Sequence, residues 1–474
     1  MTCSAKSLRT TLLAAGSRPL LLDTAGAALT GAELLDHVER LAGAIAARGI
    51  GPAPKVGLWY RNAFAAVEAF LAVEWLGGTR VPVDPNATGV EAAAIFAAAG
   101  VDAVVADEEH AARLGGTCLV HDDRSRLAGT PRAPLADIPP ERSIVLYPRA
   151  VKNGELSAIP ISYANWAAII ETNVALYRSG RYGAWEPQSE LFLTAQQIMH
   201  GTGFLGTFPF LAMGLPQLVV GAFEPTAIVA AIERFGVTAT MVVPAMLKAI
   251  VEVAGSRQHR RSSMRHLLYG GGKSAVGDIS EAVRLFGPVL TQVYGRVEGG
   301  WPLALLGCED HAELATKPWL ATSLGRPISE VEARLRADGS GPDTGELLVR
   351  SRMTSSDFCD PDGWCSLGDR VRRDDDGYLY FERRLDRMIN SGYHVYPEEV
   401  EAVIAAVEGV SRVLVKGEPH PRWGEMVVAY IVAAQQAKPE TLAEELRAVL
   451  ANRLAKYKVP RELRFVEDLP PVDG

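Results

Sequence analysis

The chain has 474 residues, 48% of them hydrophobic and 22% charged, the balance of a globular protein with about three domain-sized units. Its net charge of −8 excludes a general nucleic-acid or membrane-surface binder, since both need a basic face. Five scattered cysteines, Cys3, Cys118, Cys308, Cys359 and Cys365, form no CxxC pair, so no disulfide framework or zinc site is expected and a reducing cytoplasm fits best.

The first residues carry basic side chains and an apolar run broken by polar ones, which argues against a signal peptide. No apolar stretch approaches transmembrane length. Leu34 to Ala47 is amphipathic at helical spacing and stops at Gly49. Lys55 to Tyr60 reads as a strand, Phe64 to Leu76 as a buried helix ending at Gly77-Gly78, and Arg80 to Val83 as a strand closed by Asp84-Pro85. After more of this alternation over 90–106, Ser143 to Tyr147 is a short apolar strand. A polar loop follows, and Ser162-Tyr163-Ala164-Asn165 opens a helix over 163–177. Strand, loop and helix N-terminus can hold phosphate on bare N–H groups, yet this loop has one glycine, Gly154, among Pro148, Arg149, Val151, Glu155 and Leu156. Alternation at 217–221, 225–235 and 238–243 completes an α/β pattern with parallel sheets.

After about residue 325 the strands shorten, with Gly345 to Arg350 as a strand and turns at Asp360–Gly363 and Asp374–Gly377. From Pro397 a compact α+β pattern follows: helix 397–407, strands 412–416 and 426–433, helix 439–454 and strand 462–466. The expected division is 1–385 and 386–474, with the junction near Arg384-Leu385-Asp386.

Several motifs carry chemistry. Gln292-Val293-Tyr294-Gly295-Arg296-Val297-Glu298 follows a strand that starts near Pro288. Its glycine admits a ligand against the backbone and the carboxylate beyond can hold a metal ion, although a Tyr-Gly at a strand end is also an ordinary turn. Downstream come Trp364-Cys365-Ser366-Leu367-Gly368-Asp369, Asp376-Gly377-Tyr378-Leu379, Arg384-Leu385-Asp386-Arg387-Met388-Ile389, Gly392, Val395-Tyr396-Pro397-Glu398-Glu399-Val400-Glu401, Trp423-Gly424-Glu425 and Tyr457-Lys458-Val459-Pro460-Arg461. This ordered set resembles the adenylate-forming superfamily of acyl-CoA synthetases, peptide-synthetase adenylation domains and luciferases. The resemblance runs over essentially the whole chain, from Leu29-Thr30-Gly31 to Leu469-Pro470. A narrower resemblance is to CoA ligases of bacterial diterpenoid-antibiotic (platensimycin-type) pathways.

The resemblance implies a large N-terminal domain with doubly wound sheets and a small mobile α+β C-terminal domain that rotates about a hinge at Asp386. It implies two half-reactions on one site: ATP and a carboxylic acid give an acyl-adenylate, and the CoA thiol then displaces AMP. Asp369 matches the aspartate that accepts the ribose hydroxyls and Arg384 the arginine supporting the same ribose. Tyr294 and Gly295 match the adenine-side motif, Glu298 the magnesium-linked glutamate, and Gly270-Gly271-Gly272 the turn where adenine and acyl chain pass the backbone. On the CoA side, Gly392 matches the glycine beside the pantetheine channel. Trp423 and Tyr457 match aromatics offered to the CoA adenine, and Arg461 a cation facing CoA phosphate. His200, in Gln197-Ile198-Met199-His200-Gly201, stands where a histidine or aromatic lines the acyl pocket. Asp386 is also readable as a solvated turn acid, His200 as a structural histidine, and the Trp and Tyr as core.

The departures share one direction. Val297 stands where the family's threonine donates to the α-phosphate, Leu367 where a threonine usually precedes Gly-Asp, and the loop from Tyr147 to Ser162 has lost nearly all of the family's Ser, Thr and Gly residues. The family's adenylation lysine follows a glycine shortly after a Leu-Pro pair; here Leu469-Pro470-Pro471-Val472-Asp473-Gly474 ends the sequence and that lysine would come next. Preorganised donors of this kind contribute ~2.7–4 kcal/mol each to lowering a barrier. The expectation is therefore an enzyme that makes acyl-CoA by CoA attack on an acyl-adenylate with adenylation weak or lost, ATP and magnesium being needed only if adenylation is retained. A partner ligase would then supply the adenylate. Two alternatives stand beside it: an intact bifunctional ligase, with Arg149 and Lys152 compensating in the loop, and a non-catalytic binder of acyl-adenylate or acyl-CoA. The segments expected to line the acyl pocket, His200–Phe204, Tyr269–Gly272 and Val297–Trp301, offer no counter-charge, which favours a bulky lipophilic acid.

Overall fold

The computed structural model describes residues 5–116, 118–152, 154–255, 263–337, 339, 341–390, 394–420 and 424–471. Local sequence starts the elements cleanly. Thr30 accepts the backbone N–H of Glu33 while the Glu33 carboxylate accepts that of Thr30 at 2.9 Å, a reciprocal cap that opens helix Gly31–Ala46. The next helix, Phe64–Trp75, has every residue buried, as its unbroken apolar run implies.

Among the described residues a thirteen-stranded sheet runs from Glu332–Ala337 at one edge to Ala28–Thr30 at the other. At its centre Leu290–Arg296, His266–Gly270, Ala239–Val242, Phe192–Thr194 and Gln217–Val219 lie side by side and parallel. A second, six-stranded sheet pairs Lys55–Trp59 with Thr79–Val83 and ends on Ser143–Lys152 and Glu155–Ser162. A separate core built on Val400, Ile404, Val415, Ile431, Leu446 and Leu450 underlies the C-terminal unit, whose sheet joins Val410–His420, Gly424–Ala433 and Glu462–Phe465. The α/β class with a large N-terminal and a small α+β C-terminal part therefore holds. Among the described residues no helix is long and apolar enough to cross a membrane.

Two local expectations are corrected. The polar loop after Tyr147 is a β-hairpin, with Ser143 opposite Ser162 and Lys152 opposite Glu155. The strand expected at 412–416 extends over Val410–His420 because it pairs along its length with Gly424–Ala433. A helix, Ala5–Ala15, occupies the opening segment. Cys359 and Cys365 form a disulfide, one local link rather than a framework.

Candidate active site

Both sheets turn the C-terminal ends of their parallel strands toward one cleft of about 700 Å³, where ligands of open α/β sheets bind. Its walls come from Asp84 after one strand, Gly271 after another, Gly295 to Val297, His200 at the start of helix Gly201–Ala212, the hairpin residue Arg149, and the C-terminal residues His394, Tyr396, Tyr457, Lys458 and Arg461. Glycine is required at two of these edges. A Cβ on Gly270 would stand 2.1 Å from the Val293 carbonyl oxygen, and Gly271 has φ +83°.

Below the cleft lies a dense charge cluster centred on Arg296. Its guanidinium meets Glu298 at 3.2 and 3.3 Å, Asp369 at 3.5 Å and Asp386 at 3.7 Å. Arg384 binds Asp369 at 3.1 Å and Asp386 at 2.8 Å, and the Tyr294 hydroxyl donates to Asp369 at 2.6 Å. The residues expected for ribose, adenine, metal and hinge are thus brought together, with Arg296 as a common partner that the motif reading left without a role. Burial opposes the Arg296 charge, but Glu298 and Asp369 outweigh it and raise its pKa. Burial pushes the Asp369 carboxyl up to about 6 against Arg296 and the Tyr294 hydroxyl, with Asp386 and Glu298 adding to the rise.

The C-terminal unit closes the cleft through buried polar contacts. The Lys458 ammonium donates to Glu91 at 2.6 Å and to Glu399 at 2.8 and 3.0 Å, and Glu91 also accepts the Ala455 N–H. Burial opposes the Lys458 charge, yet the two carboxylates carry its pKa well up. Asn390 donates to the Gly271 carbonyl at 3.2 Å. The His200 Nε2 lies 3.3 Å from Asp84, whose carboxylate also accepts from the Asn86 N–H and the Tyr457 hydroxyl. Burial pushes the Asp84 carboxyl up, but His200, Asn86 and Tyr457 outweigh it and bring it to about 2. Tyr457, expected against the CoA adenine, therefore has its hydroxyl on Asp84, while Arg461 is exposed at the cleft mouth. Gly392, Trp423, residues 472–474 and the side chains of Lys152 and Phe204 lie outside the described residues. The cleft lining is rich in apolar side chains, six of them being Met199, Met241, Val243, Met246, Val293 and Trp301.

Glu298 does not have the surroundings of a metal ligand. Both its oxygens are held by Arg296, and Arg149 stands 3.9 Å away.

Comparison with known proteins adds the lineage. The model of the AMP-binding enzyme family matches residues 9–146 and 154–357, and that of the AMP-binding enzyme C-terminal domain matches 399–472. The chain is 27% identical to the medium/long-chain-fatty-acid–CoA ligase FadD8 of Mycobacterium tuberculosis, over 93% of this chain and 83% of that one. It is 28% identical to a 3-[(3aS,4S,7aS)-7a-methyl-1,5-dioxo-octahydro-1H-inden-4-yl]propanoyl:CoA ligase of the same organism, over 93% and 90%. Among solved structures, the amide bond synthetase McbA from Marinactinospora thermotolerans superposes with a TM-score of 0.81 at 28% identity, over 98% of this chain and 96% of that one.

Proposed function

The chain belongs to the AMP-binding enzyme family, and from that premise we propose that it forms acyl-CoA by CoA attack on an acyl-adenylate while making little or no adenylate itself. Its relatives are named CoA ligases, which places the enzyme among the acid–thiol ligases. The observation that carries the proposal is the hairpin. Where a pyrophosphate-holding loop would need unpaired N–H groups, Ser143–Lys152 and Glu155–Ser162 pair across to Lys152 and Glu155, and the family match is interrupted over 147–153. Val297 adds no donor beside it.

In the reaction the thiol sulfur bonds to the acyl carbon, the carbon–oxygen bond to the phosphate breaks with its electron pair going to AMP, and the thiol proton passes to solvent water. Asp369 and Arg384 hold the ribose, Tyr294 and the glycine turn border the adenine, and His200 and the six apolar side chains border the acyl group. We place the hinge at Asp386 and the domain boundary beside it. CoA enters past Tyr457 and Arg461 at the cleft mouth, and the family resemblance assigns Gly392 and Trp423, which lie outside the described residues, to the same ligand. The apolar lining, together with a relative that acts on a fused-ring propanoic acid, supports a bulky lipophilic acyl group. A separate ligase supplies the adenylate.

Two assays on one preparation test the proposal: acid-dependent ATP–pyrophosphate exchange, and thioester formation from synthetic acyl-adenylates of lipophilic acids. Thioester without exchange is the expected result. Exchange at ordinary ligase rates refutes it, and absence of thioester points to a silent binder. Because one relative is an amide bond synthetase, an amine acceptor belongs in the second assay, and amide in place of thioester would reassign the nucleophile.

A further inference from the structure

A chain that binds an adenylate must neutralise its phosphate, and two of the cations lining the cleft are already paired. Arg296 is committed to Glu298, Asp369 and Asp386, and Lys458 to Glu91 and Glu399. Glu298 is itself satisfied by a guanidinium, so its oxygens are not offered to a divalent cation.

One cation in the cleft is placed differently. The hairpin register slips between Pro148 and Ala150, so Pro148 faces Ala158, Ala150 faces Ser157, and Arg149 has no cross-strand partner. Such a bulge re-aims the side chain of its extra residue. Arg149 points into the cleft, with its guanidinium 4.6 Å from the Tyr396 ring centre and its edge 3.9 Å from Glu298, beyond hydrogen-bond reach. It also hydrogen-bonds the Tyr396 hydroxyl, and its side chain keeps 24% exposure, which leaves its other N–H groups open to the cavity beside Val297. Tyr396 belongs to the C-terminal unit, so the guanidinium is clamped in this orientation when that unit is docked.

We infer that Arg149 is the cation that binds the phosphate of the adenylate and of departing AMP, in place of a metal ion and of the loop N–H groups. As the carbon–oxygen bond breaks, charge gathers on the AMP phosphate oxygen, and a guanidinium already aimed there lowers the barrier without reorganising. This assignment rests on the acyl-adenylate reading above.

The test is calorimetric titration of the full chain with AMP and with adenosine, each in magnesium and in EDTA, for the wild type, Arg149→Met and Arg149→Lys. Wild type should prefer AMP over adenosine equally in both buffers. Arg149→Met should lose that preference by at least about 10-fold while binding adenosine as before, which also shows that it folds; Arg149→Lys should keep part of it. Thioester turnover from synthetic adenylate should fall about 10²-fold in the Met variant. Retained AMP preference in Arg149→Met overturns the assignment, and so does wild-type AMP binding that collapses in EDTA. If wild type binds neither AMP nor adenosine, the nucleotide reading itself fails and the assignment with it.

Discussion

The two walls of the cleft differ in how they carry charge. On the ribose and hinge side, Arg296 pairs with Glu298, Asp369 and Asp386, and Arg384 with Asp369 and Asp386, in one cluster that runs from buried to half-buried. On the phosphate side, a β-ladder presents few open donors and one bulged arginine. Buried carboxylates need partners to stay ionised, whereas a strand ladder offers a phosphate fewer unpaired N–H groups than an open glycine loop does. The contrast is what the proposed separation of nucleoside binding from pyrophosphate chemistry would require.

The largest effect should come from Arg296→Met. It leaves Asp369 and Asp386 with Arg384 and Glu298 with no cation nearer than Arg149 at 3.9 Å, so unfolding stability should fall by about 3–5 kcal/mol and both AMP and adenosine binding should weaken. Urea unfolding and the two titrations check this; loss confined to AMP would break the comparison, because that signature is assigned to Arg149.

Asp84→Asn should rank second and is read through pH. The Asp84 carboxyl sits at about 2, below its ordinary value, so its stabilisation is present above about pH 4 and is lost as pH falls through about 2. The variant should be about 2–3 kcal/mol less stable than wild type at neutral pH, the gap closing toward pH 2. A gap that is flat with pH would show that His200 and Tyr457 do not hold a carboxylate there.

A smaller effect is expected from Val297→Thr, which returns one hydroxyl to the phosphate wall. With the hairpin N–H groups still paired, exchange should rise by no more than about 10-fold, since a hydrogen bond contributes only about 1 kcal/mol net. A rise to ordinary ligase rates would mean the hairpin is no obstacle. The smallest change should follow Gly154→Ala, whose φ of +80° disfavours a side chain: about 1 kcal/mol of stability, with AMP and adenosine binding intact.

Much of this was legible in the sequence because it is local. The Thr30 and Ser162 caps, the buried Phe64–Trp75 helix and the strand alternation all follow from near neighbours, and the motif order located Tyr294, Asp369, Arg384 and Asp386. The hairpin carried a signal that went unread. Asn153-Gly154 is the dipeptide of a two-residue hairpin turn, and Glu155–Ser162 alternates in burial toward its end. Arg296 had no such signal, because the strand Leu290–Arg296 ends at it and Glu298 is brought back onto its guanidinium by the turn that follows. Nothing local could pair Lys458 with Glu91, which lies 367 residues away and meets it only when the two units dock.

The central claim is that the second half-reaction survives without the first. Single-turnover thioester formation, followed on one preparation from synthetic acyl-adenylate plus CoA and from the matching acid plus magnesium ATP and CoA, measures both at once. The account predicts a burst of acyl-CoA from the adenylate and a rate from acid and ATP lower by at least about 10³-fold, as the loss of two or more phosphate donors implies. Equal rates from the two mixtures would contradict it.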